Sequence, residues 1–165
     1  HGDRQMAKTV EFFFDFGSPT AYLAWTQLPK LAADAGAELV WRPMLLGGVF
    51  KATGNASPAQ VAAKSRWMND DMARWARRYG VPFAQNPHFP INTLTLMRGA
   101  VGLQMRRPAD FERYVAAVYH AMWVEPQNLG DAAPPFFNAP QGVGYDPANA
   151  NPLGRVMSLQ ITKRW

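Results

Sequence analysis

The stretch KTVEFFFDFGSPTAYLA, residues 8–24, constrains the fold more than any other part of the sequence. Its first half is a short run rich in phenylalanine, which predicts a strand over residues 8–16 that is buried on both faces. Gly17 interrupts this run, and the Ser18-Pro19 pair that follows is a favoured opening of an α-helix. The chain is therefore expected to pass directly from a strand into a helix.

This helix is predicted from residue 18 to about 35, with an end at Gly36 and a bend at Pro29. The apolar residues that recur on one face are Tyr22, Trp25, Leu28 and Leu31. Next, AELVWRPM, residues 37–44, predicts a second strand, parallel to the first because the helix serves as the crossover. Residues 8–45 are thus predicted to form a βαβ unit.

Residues 46–130 are predicted to form a helical region that starts with a loop containing several glycines and Asn55. A helix then begins at a capping box, in which two side chains satisfy free backbone N–H groups, and ends at Gly80. The box consists of Ser57, Pro58 and Gln60, and the apolar stripe of the helix contains Val61, Met68, Met72, Trp75 and Tyr79.

Two further helices are predicted in the second half of this region. NPHFPINTL, residues 86–94, is a loop broken by prolines, and it leads into a helix from about 93 to 107 that stops before Pro108. Asp110 is expected to cap the next helix. The apolar face of that helix contains Phe111, Val115, Val118 and Met122.

The sequence changes character at Asp131. The segment DAAPPFFNAPQGVGYDPANANPLG carries five prolines and shows neither the period of a strand nor that of a helix. Residues 131–165 are therefore predicted to be an irregular tail.

Composition excludes several classes of function. A chain of 165 residues that is 48% hydrophobic suits one ordinary core. The net charge of +5 without a basic block indicates mild attraction for anions and argues against nucleic-acid binding. The absence of cysteine excludes disulfides and thiol nucleophiles, and three histidines make a metal site an unfavoured interpretation. No apolar run approaches the roughly 20 residues of a membrane span, so we expect a cytoplasmic protein.

Ser18 has two interpretations. Spacing alone favours an ordinary helix cap, because Ser-Pro is a common helix opening and the chain uses Ser57-Pro58 in the same way. In the functional interpretation, the hydroxyl and the free N–H groups of a helix start stabilise a bound anion. A Ser-His-Asp triad is a poor rival, because no Gly-x-Ser-x-Gly sequence surrounds the serine.

A resemblance to a known family favours the functional interpretation. A strand that ends in Asp-Phe-x-Ser-Pro stands where thioredoxin-like proteins carry Cys-x-x-Cys, and Ser18 replaces the first cysteine. The further motifs, in order, are WRPMLLGGVFKATGN, KSRWMNDDMARWARRYGVPF, HFPINTLTLMRGA and QNLGD. Over about residues 8–131 the sequence resembles the 2-hydroxychromene-2-carboxylate isomerase family, whose relatives are the kappa-class glutathione transferases.

The resemblance implies an α/β fold, in which a thioredoxin-like βαβ unit carries an inserted helical domain. It also implies glutathione as cofactor, a small aromatic substrate, and a homodimer. The turn with a cis proline, the hairpin and the last helix of this family have no counterpart after Asp131. The C-terminal half of the thioredoxin domain is therefore expected to be incomplete.

The resemblance also assigns roles to residues that contact glutathione. Ser18 would stabilise the thiolate at the helix N-terminus, where a hydrogen-bond donor and a positive dipole favour the ionised sulfur. Asn55 and Lys64 resemble the polar contacts of the family, and Lys64 would neutralise a carboxylate. On spacing alone, Lys64 belongs to a solvated helix face.

On the substrate side, Asn92 in FPINT resembles a family residue, although a turn or cap role is equally compatible with its position. An aromatic substrate pocket would be lined by Phe89, Trp67, Trp75 and Trp123, whereas Trp at helical spacing is usually core. His88 is interpreted as structural. The implied activity is glutathione-dependent isomerisation, and the alternatives are a kappa-like transferase or peroxidase, or an inactive module that binds glutathione or another anion.

Overall fold

The computed structural model describes residues 8–130. Two strands and five α-helices, with one short 3₁₀ turn between the second and third helices, make up this part of the chain. In order they are β1 (Lys8–Phe14), α1 (Pro19–Asp34), β2 (Ala37–Pro43), α2 (Leu46–Thr53), the turn Pro58–Gln60, α3 (Ala62–Tyr79), α4 (Leu94–Arg106) and α5 (Pro108–Trp123). The predicted tail, residues 131–165, lies outside the described residues.

The predicted βαβ unit is confirmed. Strands β1 and β2 pair in parallel, with Phe12 opposite Trp41, and α1 connects them. Helix α1 ends at Asp34, and Gly36 takes a left-handed conformation with φ of 60°. A parallel pair joined by a helix places the carboxyl ends of both strands at one edge of the sheet, where the following turns meet.

The prediction that β1 is buried on both faces is wrong. Phe12 and Phe14 are buried, whereas Phe13 between them is 57% exposed. Successive side chains of a strand point to opposite sides of the sheet, and within residues 8–130 only the side of Phe12 and Phe14 is covered. Leu31, predicted on the buried face of α1, is also exposed at 58%.

The hydrophobic core is centred on β1, α1 and α5 and extends to the buried faces of α3 and α4. Phe14 makes edge or tilted ring contacts with Phe16, Phe111 and Tyr119, and Tyr119 packs against Trp25 of α1 with ring centroids 5.2 Å apart. Helix α5 contributes most of the fully buried side chains, which include Tyr114, Val115, Val118, Tyr119, Met122 and Trp123. The predicted apolar face of this helix is therefore confirmed.

Helix α2 occupies the segment predicted as a loop. The glycines of LLGGVFKAT indicated a loop because glycine disfavours helices. The helix begins where the Leu46 N–H donates to the carboxylate of Asp15, 2.8 Å away, so a distant acidic residue supplies the acceptor that its own N-cap lacks. It ends at Gly54, which has a φ of 67°.

Two other helix starts differ from prediction. The Ser57 hydroxyl accepts from Ala59 N and caps only the 3₁₀ turn Pro58–Gln60, so α3 begins four residues later than Pro58, at Ala62. Asp110 does not cap α5, because the helix begins at Pro108 and Asp110 instead pairs with Arg107 and Arg113. Proline suits the first helical position because it has no N–H to satisfy.

The predicted apolar stripe of α3 is only partly correct. Met72 is buried, but Val61, Trp75 and Tyr79 are 49%, 40% and 37% exposed. The buried face instead runs through Met72 and Ala76. Trp75 and Tyr79 pack on each other with ring centroids 5.4 Å apart, which shields part of their apolar surface.

Candidate functional site

Ser18 caps helix α1, as its position predicts. Its backbone is extended, with φ of −100° and ψ of 111°, and its Oγ accepts a hydrogen bond from Ala21 N at 3.2 Å. The same oxygen lies 2.8 Å from the Thr20 hydroxyl. Ser18 is half-buried, so its hydroxyl is anchored at the helix start and still accessible from outside.

The cap does not exclude a ligand-binding role for Ser18. A serine hydroxyl has one hydrogen to donate and two lone pairs that accept. If Thr20 donates to Ser18, the Ala21 N–H and the Thr20 O–H occupy both lone pairs. The single hydrogen of Ser18 is then free to be donated to a ligand in front of the helix.

Residues 15–18 form a turn, called here the Ser18 turn, and the carboxylate of Asp15 holds it in place. Asp15 is 2% exposed, and its Oδ1 accepts from Gly17 N at 2.8 Å and from the Thr93 hydroxyl at 2.7 Å. Oδ2 accepts from Leu46 N at 2.8 Å, and the backbone oxygen of Asp15 accepts from Ser18 N at 3.0 Å. One buried residue therefore joins the Ser18 turn, the start of α2 and the start of α4. The sequence analysis did not single out Asp15 or Thr93.

The segment before α4 contains the two residues predicted on the substrate side. Asn92 is exposed, and its Oδ1 accepts from Leu94 N at 3.1 Å, which is the turn interaction that its position allowed. It directly precedes Thr93, whose hydrogen bond to Asp15 brings this segment beside the Ser18 turn. Phe89 is half-buried and packs against Trp123, with ring centroids 6.0 Å apart.

Asn86, which the sequence analysis did not identify, anchors this loop. It is 2% exposed, and its Nδ2 donates to the backbone oxygens of Met122 and Gln127, both at 3.1 Å. Its Oδ1 accepts from His88 N at 2.9 Å. A buried amide that is satisfied on both sides holds the loop against the end of α5.

The residues predicted to contact glutathione are not joined to Ser18. Asn55 is exposed and its Oδ1 accepts from its neighbour Ala56 N at 3.0 Å. Lys64 is exposed on the first turn of α3. Within residues 8–130 no hydrogen bond or ion pair links either side chain to Ser18, and their roles stay predictions.

Of the three tryptophans considered for an aromatic pocket, Trp123 belongs to the core. It is fully buried, stacks on Phe83 at 6.0 Å, and donates its indole N–H to the backbone oxygen of Phe16 at 2.8 Å. Trp67 and Trp75 on α3 are 62% and 40% exposed.

A buried tyrosine lies close enough to Asp15 to be affected by its charge. Burial raises the pKa of Tyr119 well above its usual 10.0, and the negative charge of Asp15 raises it further. The Tyr119 hydroxyl has no hydrogen-bond partner among the described residues. The ring therefore serves the core, and the hydroxyl stays protonated at neutral pH.

A groove of about 440 Å³ lies apart from these residues, between α1, β2 and α5. Its lining consists of Trp25, Thr26, Pro29, Trp41, Glu112 and Ala116. None of the predicted site residues lines it. Across residues 8–130 there is no cluster of three potential metal ligands, and none of the helices there has the length and apolarity to cross a membrane.

The described residues form a parallel βαβ unit with further helices inserted after the second strand. A short turn after the first strand leads into a helix that starts at Ser-Pro. These features are those of a thioredoxin-like α/β protein in which serine occupies the first position of the Cys-x-x-Cys motif. The chain belongs to the family of DSBA-like thioredoxin domains, which matches residues 9–150. This match extends beyond residue 131, at which the motifs quoted above end.

Named relatives are isomerases and glutathione transferases. The chain is 33% identical to a 2-hydroxychromene-2-carboxylate isomerase of Sphingobium xenophagum over 150 residues. This alignment covers 90% of this chain and 66% of the relative. The chain is 35% identical over 81 residues to glutathione S-transferase kappa 1 of Caenorhabditis elegans, covering 48% of this chain and 36% of the relative.

A solved structure supports the same fold. A 2-hydroxychromene-2-carboxylate isomerase matches with a TM-score of 0.58 and 32% identity, over 71% of this chain and 57% of that structure. The chain thus spans just under two thirds of the Sphingobium relative and somewhat more than half of the solved isomerase.

Proposed function

We propose that the chain acts as a glutathione-dependent isomerase of 2-hydroxychromene-2-carboxylate or of a related intermediate in the breakdown of aromatic compounds. The observation that carries the proposal is Ser18 at the start of α1, where its hydroxyl is anchored by Ala21 N and remains accessible. The relatives that carry isomerase names support the reaction class.

The start of α1 at Ser18 offers donors that suit glutathione, which carries carboxylates and a thiol. A helix N-terminus has a partial positive charge and favours a thiolate or a carboxylate. The hydroxyl of Ser18 adds a directional donor, and the exposed Lys64 offers a counter-charge for a carboxylate. The net charge of +5 also favours an anionic ligand.

Bound glutathione would supply a thiol nucleophile whose reversible addition to a conjugated double bond permits rotation about that bond. Ser18 is assigned to donate its hydroxyl hydrogen to the sulfur, and the dipole of α1 favours the ionised form. Asn55 and Lys64 would hold the peptide, so that Ser18 acts on a sulfur already in place.

On the substrate side, we assign Asn92 a polar contact and Phe89 an apolar contact with a small aromatic substrate. Asn92 is exposed next to Thr93, and Phe89 is half-buried in the same loop, so both side chains can be reached from solvent. We further propose a cytoplasmic homodimer that binds neither nucleic acid nor membrane.

A kappa-like glutathione transferase or peroxidase is the second candidate. The 35% identity to the kappa 1 transferase of Caenorhabditis elegans favours it. Transfer and isomerisation would use the same thiol at Ser18, and they differ in whether the sulfur leaves the product. A module that binds glutathione or another anion without turnover is the third.

Calorimetry with glutathione, followed by an absorbance assay with a chromene carboxylate, tests the proposal. Binding and conversion without consumption of glutathione would support the isomerase, whereas consumption with a halonitrobenzene alone would favour the transferase. Binding without turnover of either would favour the inactive module. An absence of glutathione binding would refute both the isomerase and the transferase.

The matched pair Ser18→Ala and Ser57→Ala separates catalysis from capping. Both serines accept a backbone N–H at the start of a turn or helix. Loss of a cap costs about 1 kcal/mol of folding free energy. We expect Ser18→Ala to lower turnover far more than its effect on stability predicts. An equal loss of turnover in Ser57→Ala would contradict the assignment of Ser18.

A further inference from the structure

The carboxylate of Asp15 receives three hydrogen bonds from segments that are far apart in the sequence. Gly17 N and the Thr93 hydroxyl donate to Oδ1 at 2.8 and 2.7 Å, and Leu46 N donates to Oδ2 at 2.8 Å. The side chain is 2% exposed, so water does not compete for these oxygens. Both carboxylate oxygens are therefore occupied by protein donors.

Each of these donors lies in or next to a segment that contains a residue with a role in the proposed function. Gly17 precedes Ser18, Leu46 begins the helix that is followed by Asn55, and Thr93 follows Asn92. We propose that Asp15 is a positioning residue, which sets the Ser18 hydroxyl against the segments that hold glutathione and the substrate. The inference rests on the proposed function for the identity of those ligands.

The turn also leaves little space between Gly17 and the start of α4. A methyl group added at Gly17 would lie 3.2 Å from Cγ2 of Thr93 and 3.4 Å from Oδ1 of Asp15. Thr93 thus presents its methyl group to the turn and its hydroxyl to the carboxylate. A displacement of Thr93 therefore reaches Gly17 through the carboxylate that both residues donate to, and Ser18 is the next residue.

The geometry depends on both side-chain oxygens of Asp15 acting as acceptors. Asparagine offers one acceptor oxygen and one NH₂ donor in place of two acceptor oxygens. Gly17 N and Leu46 N are both donors and approach different oxygens of Asp15. In Asp15→Asn one of them must therefore face an NH₂ group, and either the Ser18 turn or the start of α2 is displaced.

The test compares Asp15→Asn, Thr93→Val and Thr93→Ser with Thr95→Val as the control. Thr93→Val keeps the shape but removes the donor, and Thr93→Ser keeps the donor. Thr95 is exposed in the first turn of α4, two residues after Thr93, so Thr95→Val controls for replacing a threonine hydroxyl by a methyl group at this end of the helix. The measurements are kcat and KM with a chromene carboxylate and glutathione, and hydrogen exchange at the Gly17 and Leu46 amides of the free protein.

We expect Asp15→Asn and Thr93→Val to lower kcat by about tenfold or more with a smaller change in KM, since a small misplacement of a catalytic group is costly. Thr93→Ser should recover most of kcat, and exchange at Gly17 should accelerate in Thr93→Val but not in Thr95→Val. Unchanged exchange at Gly17, or loss of stability in Thr93→Val without a fall in kcat, would overturn the inference.

Failure of the proposed function gives a different result. If the wild-type chain neither binds glutathione nor converts the chromene carboxylate, that function falls. The exchange rates at Gly17 and Leu46 still decide whether the Thr93 hydroxyl, acting through Asp15, controls the Ser18 turn. The two failures are therefore distinguishable.

Discussion

Trp123 donates its indole N–H to the backbone oxygen of Phe16 at 2.8 Å, and so ties the last turn of α5 to the residue that precedes the Gly17-Ser18 turn. Both residues are fully buried. The turn is thus held from two sides, by Trp123 at Phe16 and by the carboxylate of Asp15 at Gly17. If Ser18 donates to a ligand as proposed, this support would keep backbone shifts in the turn from redirecting its hydroxyl.

The first prediction concerns this hydrogen bond. Trp123→Phe should lower the free energy of unfolding by about 2 kcal/mol or more, because it leaves the Phe16 oxygen unsatisfied and opens a cavity. Chemical denaturation measures the change. The control is Trp75→Phe, at a side chain that is 40% exposed, and it should cost about 0.5 kcal/mol or less. Equal losses would show that the Trp123 hydrogen bond adds nothing.

The second prediction concerns Thr20, whose hydroxyl lies 2.8 Å from Ser18 Oγ. If Thr20 donates this hydrogen bond, Thr20→Val frees a lone pair of Ser18 and lets its hydroxyl hydrogen rotate away from the ligand. The thiol pKa of bound glutathione should then rise, and kcat/KM should fall by roughly fivefold, about 1 kcal/mol, the value of one neutral hydrogen bond. The ultraviolet absorbance of the thiolate, followed against pH, measures the pKa.

The control for this prediction is Thr26→Val in the same helix. Its hydroxyl donates to the Leu23 backbone oxygen at 2.7 Å and is not hydrogen-bonded to Ser18. Any loss from placing valine in α1 should appear in both variants. A shift of the thiol pKa in Thr26→Val of the same size would contradict the role of Thr20.

The third prediction concerns Lys64, which is exposed on the first turn of α3. Lys64→Met keeps helix propensity and most of the stem but removes the charge. If the ammonium pairs with a carboxylate of glutathione, the dissociation constant should rise by about fivefold or more, which corresponds to about 1 kcal/mol. Calorimetry measures it. Arg66→Met is the control, since Arg66 is also exposed on α3, and an equal effect there would indicate only a general attraction for anions.

The features predicted correctly from sequence are those with a local signal. The strand before Gly17, the cap at Ser18 and the apolar face of α5 each follow from residues within one or two turns of the chain. The contact of Asp15 with Thr93 joins residues 78 positions apart, and neither residue carries a pattern that reveals the other.

Where tertiary contacts override local preference, the sequence predictions are wrong. Helix α2 forms despite its glycines, and the carboxylate of Asp15 stabilises its start by accepting from the Leu46 N–H. On α3, Trp75 is exposed although large aromatic residues usually lie in the core, and the smaller Ala76 is buried instead. The buried face of a helix depends on which neighbour it meets, and that information lies outside the helix.

The last prediction concerns Tyr119, which is fully buried with a hydroxyl that has no partner among the described residues. Burial, and then the charge of Asp15, raises its pKa well above 10.0. Because the folded protein holds this proton more tightly than the unfolded chain, stability is unaffected below pH 10.0 and falls as the pH rises above that value.

Tyr119→Phe removes this alkaline loss of stability. It also removes the cost of burying an unpaired hydroxyl, so we expect the free energy of unfolding at pH 7 to rise by about 1 kcal/mol. Urea denaturation between neutral and alkaline pH measures both effects, with Tyr79→Phe, at a side chain that is 37% exposed, as the control. A lower stability of Tyr119→Phe at pH 7 would show that the hydroxyl makes a favourable interaction after all.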